Sequence, residues 1–97
     1  MATSDAWDGV RNLGPISIAQ LRGVGIDTPA GLWQVGPVDA YLRLRRAHPG
    51  RINRTMLWAL AGAELDLDWR ELPTELKAQL DADVAAADVP GPGRPGG

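Results

Sequence analysis

The chain has 97 residues, no cysteine and a formal net charge of −2. That length holds one core and excludes a second domain, and the missing thiols exclude disulfides and thiolate metal sites, so packing alone must supply stability. No apolar run approaches the roughly 20 residues that span a bilayer and no charged leader precedes an apolar block; a cytoplasmic protein, away from membranes, is expected.

Residues 1–11 are expected to form an N-terminal helical segment. The first clear helix signal follows at Ser17-Ile18-Ala19-Gln20, where the Ser17 hydroxyl can cap the backbone and Gln20 can reach back. Gly23 and Gly25 should end that helix, because glycine most readily takes the positive φ of a helix C-terminus. Thr28-Pro29 starts a second, short helix with Leu32 and Trp33 on its apolar side. After the break at Gly36-Pro37, Val38, Tyr41, Leu42 and Leu44 mark a third helix that ends near His48-Pro49-Gly50.

Ile52, Met56, Leu57, Leu60, Ala61 and Ala63 then mark a strongly apolar helix, capped by Asn53 and expected at the centre of the core. Residues 64–68 alternate briefly but have no partner strand, and are expected as a loop. Asp68-Trp69-Arg70-Glu71 has capping-box spacing and should open a last helix lined by Leu72, Leu76, Leu80 and Val84. From residue 88 to residue 97 the Pro/Gly-rich tail cannot hold a helix and is expected to be disordered, leaving 12–87 as the folded domain. Every periodic segment repeats at three or four residues, so the fold class is all-α, a bundle of about five short helices.

Charge is divided along the chain. From Arg11 to Arg54, seven arginines face only Asp27 and Asp39, a net of +5. From residue 55 onward Arg70, Lys77 and Arg94 face eight carboxylates, a net of −5. The basic stretch places Arg43 and Arg46 three apart on one helix face, with Arg45 to one side and Arg51 and Arg54 returning after the turn. With Arg22 these form the candidate binding set for a partner protein or DNA. Two solvated faces of opposite charge are the plainer alternative.

Chemistry that would make an enzyme is hard to find. His48 is the single histidine, without a serine or cysteine partner in a catalytic setting, and a helix C-terminus favours its charge in any case. Glu64, Asp66 and Asp68 resemble a calcium loop only superficially, since Trp69 stands where the sharp-turn glycine belongs. No metal, cofactor or small-molecule substrate is expected. Trp33, Trp58 and Trp69 sit in apolar patterns and are expected in the core, whereas Trp7 is open between core and contact surface.

Leu13-Gly14-Pro15-Ile16-Ser17, followed by Leu21 through Ile26, resembles one element of a helix-hairpin-helix, in which a glycine turn and the next helix's free amides hold a phosphate. Gly14, Ser17, Gly23 and Gly25 are its candidate residues. Asn12 stands where the first hairpin glycine would be and Ile16 where a lysine commonly adds charge, so the shape is expected without the phosphate site.

As a set, Asn12-Leu13-Gly14-Pro15, Gly25-Ile26-Asp27-Thr28, Ala40 through Leu44, Leu57 through Ala63 and Trp69-Arg70-Glu71-Leu72-Pro73 resemble the C-terminal domain of the TfoX/Sxy competence regulators. The resemblance implies about five helices with a helix-hairpin-helix-like first half, and a role in regulating transcription of DNA-uptake genes. The additional N-terminal domain of full-length members has no counterpart in these 97 residues. The function expected is a non-enzymatic module docking on a regulatory protein, with DNA binding through the basic segment as the alternative.

Overall fold

A computed structural model describes Trp7 and residues 9–88. Among them are five α-helices, α1 (Pro15–Gly23), α2 (Pro29–Val35), α3 (Pro37–Ala47), α4 (Arg54–Leu65) and α5 (Thr74–Asp88), with one 3₁₀ turn, Trp69–Glu71, before α5. No strand occurs among the described residues. The all-α expectation holds, while the tail from residue 89 to 97 lies outside the described residues.

Proline sets three of the helix starts. Pro15, Pro29 and Pro37 each occupy the first turn, where a fixed φ is useful and the missing N–H costs nothing. For α1 this moves the start: the N-cap is Gly14 in extended backbone, and Ser17 is already inside the helix with no capping bond. The Ser17 cap is thus corrected, because Pro15 nucleates the helix upstream of it. Thr28 caps α2 as expected, its Oγ1 accepting the Gly31 N–H at 3.1 Å. Asn53 stands at the N-cap position of α4, but its side chain makes no capping bond.

The C-termini are closed by backbone geometry. At the end of α1 the Ile26 N–H reaches Leu21 O at 2.9 Å and the Gly25 N–H reaches Arg22 O at 3.1 Å, a Schellman pair that needs the positive φ of Gly25, +86°. Its two apolar ends, Leu21 and Ile26, are among the most deeply buried side chains. The end of α4 repeats the pattern with Leu67 N–H to Gly62 O at 2.8 Å and Asp66 N–H to Ala63 O at 3.2 Å. There the left-handed residue is Asp66, φ +58°, one of the non-glycine types that tolerate it.

α3 packs against all four other helices, while α4 is buried at Leu57 and continuously from Ala59 to Ala63. The centre of the core is therefore shared by α3 and α4, rather than belonging to α4 alone. Leu21, Ile26, Leu32, Leu44, Leu57 and Leu60 form its innermost layer.

At the N-terminus one expectation is corrected and one open alternative is decided. Trp7 and residues 9–12 are turn or irregular, not helix, so no incoming helix of a helix-hairpin-helix is present among the described residues; residues 1–6 and 8 lie outside them. Trp7 is a core residue, 3% exposed, with its indole N–H donating to Asp27 O at 3.0 Å. It plugs the turn between α1 and α2. Trp33, Trp58 and Trp69, expected in the core, are only half-buried; of the three, Trp33 and Trp58 pack against it.

Asp68 does cap, but what it caps is the 3₁₀ turn. Its Oδ1 accepts the Arg70 N–H at 2.9 Å while Glu71 Oε1 accepts the Asp68 N–H at 3.2 Å. Pro73 interrupts the helix anticipated from Trp69, and α5 begins afresh at Thr74. Gly62 is a different constraint: a Cβ there would lie 2.7 Å from both Asn12 Nδ2 and the backbone oxygen of Leu67. Gly62→Ala is expected to cost about 1–3 kcal/mol through overpacking. Gly23→Ala, whose Cβ would meet nothing within 4 Å, should stabilise by about 0.4–1 kcal/mol. Urea denaturation of the two variants checks this, and a neutral Gly62→Ala contradicts the close approach.

A candidate partner-binding groove

Asn12 takes a glycine-like backbone, φ +70°, and turns its amide into the gap between α4 and the 3₁₀ turn. Its Nδ2 donates to Leu67 O at 2.8 Å and Ala59 O at 3.3 Å, and its Oδ1 accepts the Trp69 N–H at 3.2 Å. One side chain thus joins three segments that are 47 to 57 residues away in sequence. Only a primary amide suits the position, because one end must donate to carbonyls while the other accepts from an N–H.

Above this joint lies an open groove of about 400 Å³ between α1, α4 and the 3₁₀ turn. Ile52, Met56, Ala59 and Trp69 supply its apolar lining. Asn12, Ser17, Gln20, Asn53, Thr55 and Arg51 supply the polar one. Ile16 stands at the edge, 76% exposed in the first turn of α1. An isolated exposed apolar residue is ordinary, but here it borders the groove.

Beside the groove Trp58 and Trp69 stack with ring centres 6.3 Å apart and planes inclined by 18°. Lys77 Nζ lies 5.0 Å from the Trp58 ring and 5.9 Å from that of Trp69, and the Arg70 guanidinium is 6.0 Å from Trp69. These cation–π contacts hold the two stacked indoles, of which Trp69 lines the groove. The Trp58 indole nitrogen is buried with no hydrogen-bond acceptor among the described residues. Arg70 also chelates Asp68 with both contacts at 3.0 Å, which holds the Asp68 carboxyl down at about 2, chiefly through the side-chain hydrogen bond and then through the Arg70 amide. Asp68 is therefore ionised at any ordinary pH.

The arginines anticipated as a strip are put to different uses. Arg43 and Arg46 are exposed on α3. Arg45 is half-buried with its guanidinium 5.3 Å from the Tyr41 ring. Arg54 lies 3.4 Å from Asp81 on α5, Arg22 is exposed in the last turn of α1, and Arg51 alone of the set lines the groove. Of the hairpin residues, Ser17 lines the groove too and Gly14 is the N-cap of α1; Gly25 closes the helix with its positive φ, whereas Gly23, expected to do the same, is simply the last helical residue. Reasoning from sequence missed Ile16, Met56 and Trp69 as surface residues, and read Asn12 only as a missing glycine. Its tolerance of the left-handed region was the available signal.

Among the described residues no group of three or more His, Asp or Glu side chains could hold a metal ion, and no helix is long and apolar enough to cross a membrane.

The described residues form a small all-α bundle with an open groove of mixed polarity. The chain belongs to the TfoX C-terminal domain family, whose model matches residues 4–84. It is similar to the crystal structure of an uncharacterized protein from Listeria monocytogenes in a triclinic form, with a TM-score of 0.75 and 26% identity over 88% of this chain and 94% of that one. A protein of unknown function from Listeria monocytogenes, in a tetragonal form, is similar with a TM-score of 0.72 and 28% identity, over 81% of this chain and 95% of that one. No curated protein matches the chain.

Asn12→Ala is expected to cost about 1–3 kcal/mol, because it strips the Trp69 N–H of its acceptor and the Leu67 carbonyl of a donor. Asn12→Asp should cost more at neutral pH, since it sets a carboxylate oxygen against two carbonyl oxygens. Thermal or urea unfolding of both variants measures this, and a stability unchanged in Asn12→Asp rules out the donor role of Nδ2.

Proposed function

We propose that the domain is a non-enzymatic docking module of a competence-type transcription regulator and that its groove receives a segment of a partner protein. The carrying observation is Ile16: a mostly exposed isoleucine borders the groove where a phosphate-holding hairpin would call for a cation. The family supports a competence-related regulator, and the groove's mixed lining supports recognition of a protein segment, which supplies apolar anchors and polar groups together.

DNA binding is the second reading, favoured by the exposed Arg43, Arg46 and Arg51. Against it, Arg11, Arg54 and Arg70 already have carboxylates in reach: Asp66 at 3.0 Å, Asp81 at 3.4 Å and Asp68 at 3.0 Å. Those pairs are largely solvated on the arginine side, and they reduce the outward positive field. With the net charge of −2, few phosphate contacts are left to supply affinity.

Titration of labelled random duplex distinguishes the two. Binding too weak to measure at physiological salt is expected, whereas five phosphate contacts would give a salt slope of about −4 to −5 on log–log axes. The control variant is Arg43→Glu/Arg46→Glu, chosen because both side chains are exposed and Arg45 is occupied by Tyr41. Tight binding at physiological salt that this double change abolishes overturns protein docking in favour of DNA.

A further inference from the structure

Resting on the docking reading, we infer that the groove takes an acidic segment of a partner protein in which a carboxylate stands beside a large apolar side chain. Charge complementarity selects this occupant. Arg51 lines the groove and no Asp or Glu does, although carboxylates outnumber cations in the chain by 12 to 10. The residues that the acidic half contributes to this groove, Thr55, Met56, Ala59 and Trp69, are all uncharged.

The backbone adds to this. The groove is lined by first-turn residues of two helices, Ile16 and Ser17 of α1 and Thr55 of α4. Neither helix has a side-chain cap, so these amides carry the unpaired partial positive charge of a helix start. A basic segment would meet Arg51 and these N–H groups as like charges. An acidic one meets a guanidinium and several donors, as a carboxylate requires. The apolar requirement comes from Met56 and Trp69 inside and Ile16 at the edge, which a free small anion would leave uncovered. That also separates the proposal from a phosphate site.

The test uses the full chain, isotope-labelled for amide and indole NMR, titrated with a short peptide of interspersed leucine and glutamate. Its counterparts replace glutamate by lysine, or leucine by serine. The leucine–glutamate peptide should shift the amides of Ile16, Ser17 and Thr55 and the Trp69 indole, and do so less as salt is raised. Arg51→Glu should weaken it about tenfold or more, and Ile16→Ser should weaken it measurably. Both side chains are exposed, so the fold should survive, and the unperturbed remainder of the spectrum verifies that. Equal or better binding of the lysine peptide at these residues overturns the acidic occupant and leaves protein docking standing. Equal binding of the serine peptide overturns the apolar anchor. No shift with any peptide overturns the inference, and if random duplex moves the same amides at physiological salt, the docking reading falls with it.

Discussion

The Asn12 amide is the constraint on which the rest of the recess depends. It holds the carbonyls of Ala59 and Leu67 and the N–H of Trp69 at once, and so fixes the N-terminal segment, the end of α4 and the 3₁₀ turn relative to one another. Two further conditions make the joint possible. Gly62 must lack a side chain where Asn12 approaches, and Asp66 must accept a left-handed backbone so that the chain can reverse and present Leu67 O. Remove any of them and Trp69 loses the position from which it lines the groove.

Electrostatics follow from where this joint places the acidic residues. Asp66 and Asp68 flank it, and each is matched to an arginine, Arg11 and Arg70, at 3.0 Å. Because exposed ion pairs contribute little to stability, their consequence lies in the field: Asp66 and Asp68 are each offset by an arginine, and Arg51 lines the groove with no Asp or Glu among the lining residues. The sole charged residue lining the groove is thus a cation, on a molecule whose net charge is −2.

Features set by neighbouring residues were legible in the sequence. Thr28 before Pro29, Gly36 before Pro37, Gly25 after Leu21 and the capping spacing at Asp68 all reflect geometry within a few residues, and all appear at those places. Those that failed involve distance or competition. Ser17 has good capping chemistry but Pro15 starts the helix sooner. Trp7 lies outside any helical period, and its partner at Asp27 is 20 residues on. Trp58 and Trp69 look like core by composition, yet both are only half-buried, stacked on one another with Lys77 over both rings. The groove itself is built from α1, α4 with the residues just before it, Asn12 and Trp69 of the 3₁₀ turn, a juxtaposition that no local pattern encodes.

Amide hydrogen exchange at Trp69 tests the joint most directly, because the only acceptor of that N–H among the described residues is Asn12 Oδ1. Slow exchange is predicted in the wild type, with selective loss of protection in Asn12→Ala while the amides of Leu44, Leu57 and Leu60 stay protected. Equal protection of Trp69 in the two proteins would contradict the account, since it would mean that something other than Asn12 holds the 3₁₀ turn against α4.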